Sequence, residues 1–234
     1  FEDALKEAQE KGYADKDPTA DVEGFDACRK VCILSSLAFG KHVYPEQVYT
    51  EGITKIALED AAFAEKSGYV IKLIGKTSIL NNHNTVFATV YPALIPMTSQ
   101  LANVNDVYNA VMVRGDAIGD ALFYGKGAGK LPTASAVVAD VVDCAKHITA
   151  RKLISWEDGS EGYVENYKND SVGFYVRANA DKQKMQSVFE NATFVDGENG
   201  EFCMITEVMQ ESVFNELIAP MSDSVLSKLR VLDI

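Results

Sequence analysis

A chain of 234 residues with a net charge of -12 and a pI near 4.7 lacks the surplus of Lys and Arg that a phosphate backbone demands, so a nucleic-acid partner is not expected. Its hydrophobic fraction of 47% is ample for a buried core. The apolar runs are broken by Asp, Gly or Ser well short of the roughly 20 residues of a membrane span, which argues against insertion in a bilayer.

The first residues already read as a helix, and no initiator Met, basic n-region or apolar h-region precedes them, so the chain is expected to start within a longer protein. Residues 2–11 set Ala4, Leu5 and Ala8 at helical spacing, with Gly12 where a C-cap would stand. From 15 to 23 the chain is polar, contains Pro18 and has no periodicity, which predicts a loop. Residues 26 to about 39 carry apolar side chains on every helical face, predicting a largely buried helix that Gly40 stops. A helix around 58–67 follows, then strands at 70–74, 85–91 (bounded by Pro92), 107–113 and 121–124. Helices do not alternate regularly with these strands. The expected fold class is therefore α+β, with a mixed or antiparallel sheet covered on one face by helices.

Gly125, Gly127 and Gly129 lead into a predicted helix over 132–150, whose apolar stripe (Ala136, Val137, Ala139, Val141, Val142) needs a partner surface. Residues 155–170 are acidic and glycine-bearing, which predicts a linker, with Trp156 as an anchor. Beyond it, segments at 174–178, 182–191, 193–196, 202–208, 211–217 and 229–234 give the order βαββαβ, a ferredoxin-like domain. The expected division is thus 1–154, a linker at 155–170, and 171–234. Cys28, Cys32, Cys144 and Cys203 show no CxxC spacing, and Cys28 and Cys32 read as small core residues, so a reducing cytoplasm is the expected compartment. His42, His83 and His147 lie far apart with no ligand spacing, and no metal site is expected.

The segment richest in chemistry is GYADKDPTADVEGFDACRK, from Gly12 to Lys30. Asp26 and Lys30 stand four apart, so both project from one helix face, and Asp15, Asp17 and Asp21 precede them in an acidic loop. Carboxylates that attract an ammonium group beside a lysine able to reach a hydroxyl suit a small amino-acid substrate. The same residues also read as a solvated i,i+4 pair and an acidic loop that only aids solubility.

The run GY-x-x-x-DP-x-x-DV-x-G-x-D-x-x-x-K resembles the signature of homoserine dehydrogenases, and residues 1 to about 150 read continuously against that family. The resemblance implies the C-terminal portion of an oxidoreductase that interconverts L-aspartate 4-semialdehyde and L-homoserine, in the biosynthesis of threonine, methionine and isoleucine. It implies that Lys30 transfers the proton of the substrate hydroxyl, that Asp26 binds homoserine beside it, and that Asp21 is a second acid near the substrate. Asp15 stands where the family usually has Glu, and the shorter side chain reaches roughly 1.5 Å less far toward the substrate amino group.

The segment YGKGAGKLPT is neither a Walker A sequence nor GxGxxG, since Lys130 occupies the place of the third glycine. It is similar to the family's G-x-G-A-G-x-x-[PV]-TA segment, which implies that Gly129 approaches the nicotinamide. A tight strand-to-helix turn needing positive φ explains the same glycines, and Thr133 or Ser135 are candidate caps for the helix. The implied cofactor is NAD(P), with most of its site in an N-terminal domain outside these residues; a chain without a dinucleotide fingerprint is expected to be inactive by itself. Residues 171–234 resemble an ACT domain, but Asp181, Lys182, Gln183 and Lys184 stand where the effector loop reads D-x-P-G. Loss of that glycine favours a homo-oligomer contact over threonine feedback. From another class of function, a stand-alone amino-acid-binding or oligomerisation module fits the acidic loop and the βαββαβ order.

Overall fold

The computed structural model describes residues 2–14, 16–80, 84–150, 155–197 and 200–234. Its first half holds α1 (Glu2–Glu10), α2 (Thr19–Val22), α3 (Phe25–Phe39), β1 (Lys41–His42), β2 (Tyr49–Thr50), α4 (Leu58–Lys66), β3 (Tyr69–Leu80) and β4 (Thr85–Pro96). Next come β5 (Tyr108–Gly115), β6 (Gly119–Lys126), α5 (Lys130–Lys146) and β7 (Glu157–Asp158). The chain ends with β8 (Ser171–Ala178), α6 (Lys182–Val188), β9 (Thr193–Asp196), β10 (Phe202–Ile205), β11 (Met209–Gln210), α7 (Glu211–Ile218) and β12 (Val225–Val231). Two compact units divide these elements: Phe1–Pro18 with Thr98–Ile154, and Thr19–Met97 with Ser155–Ile234.

In the first unit α1 ends at Gly12, whose φ of 71° closes the helix as its position predicts. β5 and β6 form an antiparallel hairpin closed at Gly115 and Gly119, and α5 follows it directly. α5 starts at Lys130, two residues earlier than Pro132, and buries none of its residues within the unit.

The second unit is α+β and is built on a mixed eight-stranded sheet. Its centre is β4, buried from Val86 to Ile95, because β3 covers one edge along its whole length while β2 and β12 share the other. The strand was expected to stop before Pro92, yet it runs on to Pro96. Pro92 falls between Val90, the last partner of β2, and Ala93, the first partner of β12, so its missing N–H leaves no ladder gap on that edge.

The strand order β12-β8-β10-β9, with every neighbour antiparallel, gives the βαββαβ segment the 4-1-3-2 arrangement of a ferredoxin-like sheet. That sheet does not stand apart. β12 pairs in parallel with β4 (Arg230 opposite Ala93, Val231 opposite Leu94), which carries the sheet on into residues 19–97. Residues 155–170, expected as a linker, are docked instead: Tyr163 is buried beside Val43, Val86 and Cys28, its carbonyl accepts from the Val86 N–H at 2.9 Å, and β7 pairs with β1. Trp156 stacks on His42 with ring centroids 5.9 Å apart. The compact units part between Pro18 and Thr19, between Met97 and Thr98, and at the expected position between Ile154 and Ser155, and residues 155–170 belong to the second unit.

α3 packs on β3 and β4 through Cys28, Val31, Cys32, Ser35 and Ser36. Gly75 in β3 makes the groove for it, as a Cβ there would lie 2.5 Å from Val31 Cγ2. Two serines stitch helix to sheet and loop: Ser35 Oγ donates to Thr77 Oγ1 at 2.8 Å, and Ser36 Oγ accepts from the Val43 N–H at 3.1 Å. The helix is not buried on every face, because Ile33, Leu34 and Leu37 are exposed. Its length is set by Gly24 and Gly40, both left-handed with φ of 78° and 75°.

Candidate active site

The segment from Thr19 to Lys30 turns on Gly24. Residues 15–23 were expected as a loop, but Thr19–Val22 forms one helical turn whose Thr19 carbonyl accepts from the Glu23 N–H at 3.0 Å. The Gly24 N–H then donates to the Asp21 carbonyl (3.2 Å), and the Gly24 carbonyl accepts the first hydrogen bond of α3 from Cys28 (2.9 Å). A Cβ on Gly24 would touch Thr50, Glu51 and Val90 at 3.3 to 3.4 Å, and its positive φ is strained for any L side chain. One glycine thus places Asp21 on one short turn and Asp26 on the next.

Asp26 and Lys30 form the expected pair, Oδ2 to Nζ at 2.6 Å, with side chains 48% and 59% exposed. An ion pair this open adds no more than a few tenths of a kcal/mol to stability. Both groups are consequently free to exchange partners with a bound molecule. Asp21 is exposed on the same unit. Asp17 belongs to the other unit, and Asp15 lies outside the described residues.

A second wall faces the turn, and sequence reasoning missed it. The Ile53 N–H donates to the Val22 carbonyl at 2.8 Å, Thr54 Oγ1 to Glu23 Oε1 at 3.2 Å, and the Glu51 N–H to the Val90 carbonyl at 2.8 Å. Glu23, Thr50, Glu51, Gly52, Thr54 and Lys55 line a cleft of about 210 Å³. That is below the roughly 300–1,000 Å³ of drug-sized ligand pockets, and Asp21, Asp26 and Lys30 are not among its lining residues. The signal that was available is Gly52. A Cβ there would sit 2.3 Å from the Val22 carbonyl oxygen and 2.5 Å from Glu23 Cα, so only glycine lets the loop close on the turn. Gly52→Ala is expected to lower stability by about 1–3 kcal/mol in urea unfolding, the usual range for forcing an extra methyl into a packed site; an unchanged midpoint would show that the loop does not bear on Val22.

Gly129 precedes α5 with φ of 110°, and its carbonyl accepts from the Thr133 N–H at 3.1 Å. A Cβ would meet only the Pro132 ring, at 3.6 Å or more, so conformation and not crowding requires glycine here, and the space over it stays open. Neither Thr133 nor Ser135 caps the helix, since both lie inside it. Cys28 and Cys32 are buried free thiols, and burial followed by the neighbouring Cys28 pushes the Cys32 thiol up to about 12, which keeps it from acting as a nucleophile. Among the described residues no cluster of three His, Cys, Asp or Glu side chains is placed to hold a metal, and no helix is long and apolar enough to cross a membrane; His83 lies outside those residues.

Comparison with known proteins adds four findings. Residues 1–142 match the family model described as Homoserine dehydrogenase. The chain is 50% identical over 150 residues to the homoserine dehydrogenase of Neisseria gonorrhoeae, covering 64% of this chain and 34% of that protein. A crystal structure of a homoserine dehydrogenase from Thiobacillus denitrificans superposes on 100% of this chain and 58% of its own, with a TM-score of 0.82 at 35% identity. A hyperthermophilic archaeal homoserine dehydrogenase mutant in complex with NADPH matches 65% of this chain and 42% of its own, with a TM-score of 0.50 at 25% identity. The chain therefore spans between 34% and 58% of the length of the first two relatives.

Proposed function

The chain belongs to the homoserine dehydrogenase family, and from that membership we propose that it supplies the substrate-binding and proton-transfer part of an enzyme interconverting L-aspartate 4-semialdehyde and L-homoserine with NAD or NADP. The observation that carries this reading is the solvent-open Asp26–Lys30 pair on the α3 face that leaves the Gly24 turn. In the reducing direction the Lys30 ammonium donates its proton to the carbonyl oxygen of the semialdehyde, and in the oxidising direction the lysine takes that proton back. Asp26 fixes the direction of Nζ by holding it from one turn earlier on the helix. Asp21 is a second acid beside the substrate, worth more there than a neutral acceptor because its bond to an ammonium group is charge-assisted, and Asp15 keeps the substrate-binding role that the family resemblance implies.

A nicotinamide, when bound, exchanges the hydride with the substrate carbon. Gly129 fits the approach of that flat ring: its φ is positive and the space around it is open. The NADPH complex of the archaeal relative supports the choice of cofactor. The greater part of the dinucleotide site lies in a nucleotide-binding domain outside these 234 residues, in agreement with the share of each relative that the chain spans.

The βαββαβ segment serves as an ACT-like module for homo-oligomer formation in a cytoplasmic enzyme. The Asp181 carboxylate accepts from the N–H groups of Gln183 and Lys184 at 3.0 and 3.3 Å, so the helix N-terminus that an effector loop would offer to a ligand is already capped from within. The function is tested by NADPH or NADH oxidation with L-aspartate 4-semialdehyde. The full-length enzyme turns over, and the purified 234-residue chain does not, having no GxGxxG fingerprint. Turnover by this chain alone contradicts the need for an outside nucleotide site, and an inactive full-length enzyme contradicts the function.

A further inference from the structure

The last strand of the chain reaches the cleft through one buried cation. Arg230 in β12 is 2% exposed, and each of its three guanidinium nitrogens is used: Nε and Nη2 donate to the two oxygens of Glu211 at 2.8 and 2.7 Å, and Nη1 donates to Glu51 Oε2 at 3.0 Å. The guanidinium lies over the Tyr91 ring at 4.3 Å and the Tyr49 ring at 4.9 Å, and the Tyr49 hydroxyl also donates to Glu51 Oε2 at 3.1 Å. Only a planar five-donor group fills such a slot, so lysine is not an equivalent here. Glu51 is the residue next to Gly52, whose bare Cα lets the loop close on Val22 and Glu23.

We propose that Arg230 is a positioning residue for the substrate turn. By fixing the Glu51 carboxylate against Tyr49, it holds residues 50–55 on the carbonyl of Val22 and the side chain of Glu23, and so sets where the Asp21 turn stands ahead of Gly24. This rests on the reading of Asp21 as a substrate ligand. Its consequence is a division of labour: the carboxylate comes from the Asp21 turn, and its registration comes from a strand some two hundred positions later. The Asp26–Lys30 pair itself is set by α3 and touches neither Glu51 nor Arg230 in the contacts that hold the loop, so proton transfer is left alone.

The test is steady-state kinetics of the full-length enzyme carrying Glu51→Gln. That variant keeps the Arg230–Glu211 fork and stays folded, whereas Arg230→Met leaves buried Glu211 with only the longer Lys228 pair, at 3.8 Å, and serves as the harsher companion. The KM for homoserine is expected to rise roughly tenfold in Glu51→Gln, the size of effects that travel through a packed network, with kcat within about twofold of the parent. Arg230→Lys is expected to leave the KM raised, because an ammonium cannot bridge both carboxylates in one plane. An unmoved KM in a folded Glu51→Gln enzyme, or a loss confined to kcat, overturns the positioning role. A parent enzyme with no homoserine turnover overturns the function reading instead.

Discussion

Lys30→Ala in the full-length enzyme is expected to lower kcat by about 10²–10⁴-fold, the range for removing a general acid, while the KM for homoserine changes far less. Lys30 is exposed and contributes little to stability through a 2.6 Å pair with Asp26, so its removal leaves α3 standing on Cys28, Val31, Cys32, Ser35 and Ser36. What disappears is the ammonium group proposed to meet the substrate oxygen. Asp26→Asn behaves differently: it keeps the shape and loses the charge-assisted contact, so KM is expected to rise together with a smaller fall in kcat. Steady-state kinetics on both variants separates the roles, and a Lys30→Ala enzyme with near-normal kcat removes lysine from the chemistry.

Asp60→Ala is expected to lower stability by about 3–5 kcal/mol, the cost of breaking a buried ion pair by deleting one partner. Asp60 is fully buried at the start of α4, where Oδ2 accepts from the Ala57 N–H at 3.1 Å. Its other oxygen accepts from Arg177 Nε at 2.8 Å and from the Tyr175 hydroxyl at 3.1 Å, joining α4 to β8. Burial and then the Asp60 charge push the Tyr175 phenol far above its usual range, so it stays a donor. Deleting Asp60 leaves Arg177 buried with Glu201 as its remaining ion-pair partner, at 2.9 Å. Against a typical total of about 5–15 kcal/mol this is a large fraction, and urea unfolding of the variant measures it. A loss under about 1 kcal/mol, as for an exposed pair, would show that the network does not join the two segments.

What could be read from the sequence was what periodicity and short spacing encode. The span of α3, the glycines that bound it and the Asp26–Lys30 pair all depend on residues within one or two turns of each other. Residues that meet only in the fold were not legible. Nothing local announces that Val231 pairs with Leu94, that Tyr163 enters the core beside Val86, or that Arg177 finds Asp60 across 117 positions. The reading of 155–170 as a tether followed its polar composition, but buried Tyr163 with half-buried Val164 suffices to dock the stretch. The apolar faces of α3 and α5 mark the same limit from the other side. Ile33, Leu34, Leu37, Val137 and Val141 have the composition of a core and yet are exposed, because apolar character states that a surface avoids water and not what covers it.

The candidate site divides along the same line. Asp21, Asp26 and Lys30 belong to one short motif and were visible as a constellation, whereas the wall at residues 50–55 closes on it through backbone groups that any sequence supplies. Gly52 records that closure in its identity, as do Gly24 against Thr50 and Thr54 against Glu23.

Titration of the isotopically labelled 234-residue chain with L-homoserine, followed by amide chemical shifts, tests the central claim most directly. Saturable shifts are predicted at residues 19–30 and 50–55, with a clearly weaker affinity in Asp26→Asn. Shifts that are absent there, or that persist with unchanged affinity in that variant, contradict the claim.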